Sequence, residues 1–325
     1  MERSFGINVT LGIITGFFFY ALCLMNGVGS YFGEGIANGF SSNSYIGLFL
    51  RIGGFIFVVG SIILVISLLN KLQYLKRKIS FSQICCFKRI GLKDISFIFA
   101  LVILLFPIVN VLDEVGIYYF GDHTERFAQF GENMNLLLFV LSMAVIGPIT
   151  EEIMVRGVFL HILRSWHPAI AITVTSAVFS IIHLNPHQAL YTIPSSIVYT
   201  FVAVITGSIL APIIAHILHN FITTLFLYGF LNLQMTSWYI VIPCTLIAIF
   251  LMYFMVRRKN GLQHWKGTKK SLVFPFTVLI IVTGLLVTDN LEPVLFLFAF
   301  LPCIILFLYK KMGMFKCGND VSTNL

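Results

Sequence analysis

A small set of polar side chains able to do hydrolytic chemistry falls inside apolar stretches of this 325-residue chain. Glu151, Glu152 and Arg156 stand in Gly147-Pro148-Ile149-Thr150-Glu151-Glu152-Ile153-Met154-Val155-Arg156-Gly157. His183 closes Phe179-Ser180-Ile181-Ile182-His183, and His216, His219 and Asn220 follow in Pro212-Ile213-Ile214-Ala215-His216-Ile217-Leu218-His219-Asn220. A carboxylate can take a proton from water. Imidazole and amide N–H groups can steady an oxyanion. Such a set hydrolyses without a Ser or Cys nucleophile, and no motif for one stands out.

The elements that must carry these groups are membrane helices. Hydrophobic residues make up 58% of the chain and charged residues only 10%. A soluble domain carries about 25% charged residues, so this surface cannot face water. Disorder, collagen and a soluble disulfide scaffold are excluded by the same composition. Apolar runs near spanning length occur at 8–28, 47–69, 95–112, 136–164, 168–185, 189–206, 209–230, 237–256, 271–288 and 293–309. The expectation is an all-α polytopic bundle of about ten transmembrane helices. Three accessory helices lie in 1–134, a four-helix core in 135–230 and three more helices in 231–325.

The net charge of +8 is a topology signal rather than a nucleic-acid surface. Lys71, Lys76, Arg77, Lys78, Lys88, Arg89 and Lys93 crowd one loop, and Arg257, Arg258, Lys259, Lys266, Lys269 and Lys270 another. Asp113, Glu114, Asp122, Glu125 and Glu132 gather between them, in a segment over 113–135 read as an external loop or a short interfacial helix. With the N-terminus inside, every basic loop falls on the cytoplasmic side and both termini are cytoplasmic. Contact of the basic loops with anionic lipid is a secondary reading. The first run is read as an uncleaved helix rather than a signal peptide. No nucleic-acid partner is expected.

A charge at the bilayer centre costs roughly 2.5–3.5 kcal/mol even on the lenient insertion scale. Two carboxylates and an Arg in one helix must therefore face one another, other polar groups or water. Glu152 and Arg156 stand at i, i+4, as do Phe179 and His183, and His216 and Asn220. Runs 136–164 and 168–185 form a hairpin, in which Glu151 and His183 both lie roughly 20 Å from the turn. From the next turn, near Gly207, His216 lies at roughly 14 Å and Asn220 at roughly 20 Å. Three segments thus deliver polar groups to similar depth. Pro148 is expected to kink its helix and open space for water.

Glu-Glu-x-x-x-Arg, then Phe-x-x-x-His, then His-x-x-x-Asn on successive apolar segments resembles the CPBP, or Abi, family. That family comprises type II CAAX prenyl endopeptidases and bacteriocin-processing or self-immunity proteins. The resemblance covers about residues 136–225. It implies a metal-free, cofactor-free intramembrane glutamic endopeptidase acting on a membrane-associated peptide or protein. By resemblance, Glu151 activates the attacking water with help from His183, His216 and Asn220 form the oxyanion site, and Glu152 and Arg156 support the first motif. A Glu/His/His set also has zinc-ligand types, but nothing resembles HExxH, and zinc is the lesser alternative. The Phe- and Ile-rich composition and the family's bacterial branch point to a bacterial plasma membrane.

Structural roles stand beside these. Glu152 and Arg156 serve equally well as a buried ion pair, and membrane His and Asn also bridge helices. His219, one residue off the His216/Asn220 face, is read as a packing group. His161, His167 and His187 are read as solvated or interfacial. Cys85 and Cys86 are expected to be a reduced cytoplasmic pair, with palmitoylation the lesser reading. Two functional alternatives remain: a non-catalytic membrane partner in bacteriocin self-immunity or sensor regulation, and a transporter using midplane charges. The absence of an inverted repeat counts against the transporter.

Overall fold

The computed structural model describes residues 80–122 and 135–258 apart from positions 184, 232 and 234, together with Trp265 and most of 52–71. The expected spans 8–28, 271–288 and 293–309 lie outside the described residues. Described positions between 52 and 71 are all helical, and among the described residues there is no strand. A short α1, Phe81–Cys85, precedes α2, Leu92–Phe120. The core follows as α3, Leu136–Phe159; α4, Pro168–Ile181; α5, Pro186–Thr206; and α6, Leu210–Leu227. Trp238–Arg258 forms α7.

Five of these, α2, α3, α5, α6 and α7, are long and apolar enough to cross a membrane. The chain is a multi-pass membrane protein. The expected run 168–185 is a 14-residue helix ending at Ile181. At 1.5 Å per residue it reaches about 21 Å, less than a bilayer core. The start of the expected loop over 113–135 is a second correction. α2 continues through Asp113 and Glu114 to Phe120, because its helical hydrogen bonds persist and Asp113 finds a partner on α5.

Local chemistry sets the ends of the core helices. His167 caps α4 by accepting the Ala169 N–H at Nδ1, 3.3 Å away, with Pro168 in the first turn. Asn185 caps α5 in the same way, accepting the Gln188 N–H. Proline suits these positions because the first-turn N–H would be unpaired anyway. Gly207 ends α5 in the left-handed region at φ 64°, where a side chain would be strained. Packing then places α5 at the centre, against α2, α4 and α6, while α6 also meets α2 and α3.

Two apolar clusters fill the bundle. One joins Ile153, Met154 and Val155 of α3 to Val174, Val178 and Phe179 of α4, with Cys85 of α1 beneath. The other joins Ile98, Leu101, Val102 and Leu105 of α2 to Val198, Tyr199 and Val202 of α5 and Ala211 and Ala215 of α6. The loop after α1 is tied to the α5–α6 turn, since Cys86 O accepts from Ile209 N. Trp265 Nε1 donates to Trp166 O at 2.6 Å over the α3–α4 connection.

Candidate functional site

α3 is not a uniform helix. Val140–Ile146 and Ile153–Phe159 are π-helical, and the α-helical turn Gly147–Glu152 lies between them. The physical cause of the first is Pro148, which has no N–H and whose ring clashes with the carbonyl four residues earlier. Widening the preceding turn removes the conflict. π turns recur inside α-helices at functional sites. Thus the expected effect of Pro148 takes the form of a π turn, directly before the Glu pair.

Glu152 is fully buried and is the hub of the site. Its Oε1 accepts from Arg156 Nη1 at 2.9 Å and bonds His216 Nδ1 at 2.9 Å. The i, i+4 expectation for Glu152 and Arg156 is met by a pair with neither side chain exposed. Such a pair needs its remaining polar hydrogens satisfied. α5 serves those on Nη2 and Nε. Arg156 Nη2 donates to Ser196 Oγ at 2.7 Å and Ser196 O at 3.2 Å, and Nε donates to Thr200 Oγ1 at 3.2 Å. The guanidinium also lies over the Phe179 ring at 4.3 Å and the Tyr199 ring at 5.5 Å, a cation–π arrangement.

Glu151 lies on the neighbouring face, partly exposed, with Oε2 3.9 Å from His216 Nε2. His216 is therefore flanked by the two carboxylates. Its ring stacks on Tyr199, centroids 4.8 Å apart, and meets Phe179 edge-on at 5.6 Å. His183 sits in the turn after α4, half-buried. Its Nδ1 bonds Phe179 O at 2.9 Å, its ring meets Phe179 edge-on, and it lies within electrostatic reach of Glu151 and His216. Asn220, one turn beyond His216, donates one amide hydrogen to Met143 O in the first π segment at 3.0 Å. Among the described residues no three His, Cys, Asp or Glu side chains are grouped to hold a metal ion.

The structure thus gathers Glu151, Glu152, Arg156, His183 and His216, while Asn220 is fastened to the π backbone nearby. Ser196, Tyr199 and Thr200 are site residues that the sequence reading missed. Their one signal is Ser196 and Thr200 at i, i+4 on α5. His219 is a packing group as expected, stacked on Phe106 at 4.8 Å with Nδ1 3.5 Å from Ser195 Oγ. His187 overturns the solvated reading. It is 1% exposed and bonds Asp113 at 2.7 Å, because α2 extends far enough to bring that carboxylate against α5.

Compared with known protein families, residues 133–222 match the model described as "Rce1-like: Type II CAAX prenyl endopeptidase Rce1-like". That stretch runs from the start of α3 to the middle of α6 and contains the Glu pair, both histidines and Asn220. The core of this membrane protein is thus similar to that family over this stretch. No curated protein and no solved structure matches the chain.

Proposed function

We propose that this chain is an intramembrane endopeptidase that hydrolyses a peptide bond in a membrane-associated peptide or protein with water activated by Glu151. The observation that carries the reading is the carboxylate–imidazole–carboxylate array. Glu152 Oε1 lies 2.9 Å from His216 Nδ1, and Glu151 Oε2 lies 3.9 Å from Nε2 of the same ring. A gap of that size suits a bridging water better than a direct bond. Glu151, the carboxylate without the Arg156 bond, is the group free to accept a proton. His183 helps hold the water, and the second amide hydrogen of Asn220 serves the carbonyl oxygen.

The distribution of Lys and Arg supports a site reached from the cytoplasmic half of the bilayer, with both termini cytoplasmic. The Phe-rich composition fits a bacterial plasma membrane, where a peptide precursor or membrane-protein fragment is the natural substrate class. Comparative peptidomics of membranes and medium tests this. A deletion strain would express wild type or Glu151→Gln at matched levels. Peptides released only by wild type are expected. Identical profiles, with both forms rescuing the strain, would leave the chain a non-catalytic membrane partner.

A further inference from the structure

The hydrogen bonds of the site decide which way each imidazole faces chemically. A carboxylate that also holds Arg156 is ionised and can only accept. Glu152 Oε1 is such a group, so the hydrogen in its 2.9 Å bond to His216 Nδ1 belongs to the imidazole. A carbonyl oxygen likewise only accepts, so His183 carries its hydrogen on Nδ1, toward Phe179 O. Each neutral ring then presents a bare Nε2. An oxyanion donor at that nitrogen would need a hydrogen there. The donor logic therefore departs from the role that resemblance gives His216.

From this geometry we infer that Glu152 is a positioning residue that holds His216 with Nε2 open, and that His216 delivers the proton to the leaving nitrogen. The inference rests on the proposed peptide hydrolysis and assigns its second half. Glu151 takes a proton from water as the water oxygen bonds the carbonyl carbon and the C=O pair moves to oxygen. That proton passes from Glu151 Oε2 to His216 Nε2, 3.9 Å away, through the hydroxyl that the water has become. When the oxygen pair re-forms C=O, the C–N bond breaks with its electrons onto nitrogen, which takes the proton from Nε2. Carboxylic acid and amine leave, with Glu151 and His216 as they began.

The surroundings favour such a carrier. A passing positive charge on His216 would lie between two carboxylates and against the face of Tyr199, stacked at 25°. Arg156 cannot swing away to disturb Glu152, because Ser196 and Thr200 hold it from the other helix. Ser196 and Thr200 are positioning residues one bond further out.

The test reads the ring before it reads the reaction. With histidine ¹⁵N-labelled full-length protein in lipid nanodiscs, NMR assigned by His216→Gln is expected to show His216 protonated at Nδ1 and bare at Nε2. Glu152→Gln is expected to lose that preference. A ring protonated at Nε2 in wild type overturns the inference, and this measurement needs no substrate. In the peptidomics comparison, His216→Gln keeps an amide donor but cannot carry a proton. Release of the Glu151-dependent peptides is expected to fall about 10²–10⁴-fold, and release at the wild-type level overturns proton delivery. If wild type itself releases nothing beyond Glu151→Gln, hydrolysis and the delivery step fall together, while the NMR result still judges the role of Glu152.

Discussion

The bundle contains two carboxylate–imidazole bonds of nearly equal length. Glu152 and His216 are 2.9 Å apart, and Asp113 and His187 are 2.7 Å apart. In the first, the carboxylate is fully buried and shares Arg156, two hydroxyls and two aromatic rings. In the second, the carboxylate is 33% exposed, His187 meets Tyr191 edge-on, and the acidic Glu114 lies next along the helix. The inner bond closes a network across three helices. The outer bond is a clasp between α2 and the first turn of α5. Identical chemistry therefore serves different ends, and the neighbours decide which: a network fixes direction, whereas a clasp fixes only distance.

Breaking the network is expected to have the largest effect. Arg156→Met leaves Glu152 buried without its cation, a loss of about 3–5 kcal/mol. Retention of folded protein in detergent would fall with activity. The clasp responds more mildly. His187→Phe removes the bond to Asp113 and is expected to cost about 1–3 kcal/mol, lowering the melting temperature while the Glu151-dependent peptides keep their identity. Equal losses from these two variants would erase the distinction.

A subtler substitution strikes the clasp through its packing. A Cβ at Gly116 would lie 2.4 Å from His187 Cδ2, so the ring must move. Gly116→Ala is expected to cost about 1–3 kcal/mol and, combined with His187→Phe, less than the sum of the two. A thermal-melt double-mutant cycle measures that coupling.

Outside the spans, a pH effect is expected at His161. Burial, then the Arg164 guanidinium, push its imidazole down to about 4 from 6.5. The folded protein thus binds this proton less readily than the unfolded chain. Stability is complete above pH 6.5 and falls as the pH drops toward 4. His161→Phe should flatten that slope in detergent melts. The smallest effect concerns two adjacent thiols. Burial, then the neighbouring Cys86, push the Cys85 thiol up to about 12, whereas Cys86 lies half-exposed with Sγ 2.7 Å from Arg164 Nη2. Maleimide is expected to label Cys86 long before Cys85, as mass spectrometry of labelled peptides would report.

The motif residues were legible because charge inside an apolar run is costly enough to demand a partner. That argument found Glu152 and Arg156 from spacing alone. It could not find Ser196 and Thr200, since hydroxyls on an apolar helix satisfy themselves on their own backbone and carry little signal. Thr200 does both, donating to Ser196 O at 2.9 Å while accepting from Arg156. Asp113 and His187 were misread for a related reason. Each was judged by its flanking residues, and only the meeting of α2 with α5 shows that they bond one another. The short α4 was hidden because apolar residues continue past Ile181, where the backbone turns before Asn185 starts the next helix.

The π turn at Val140–Ile146 has a consequence for how this protein can change. A π turn accommodates about one residue beyond an α turn, and one residue is worth about 100° of rotation about the helix axis. The orientation of Leu136–Phe139 relative to Glu151 and Glu152 is thus held by a single surplus position. Deleting one codon there would act as a wrench, turning one half of the rod against the other while leaving every motif intact. A sequence alignment would score that event as a trivial gap.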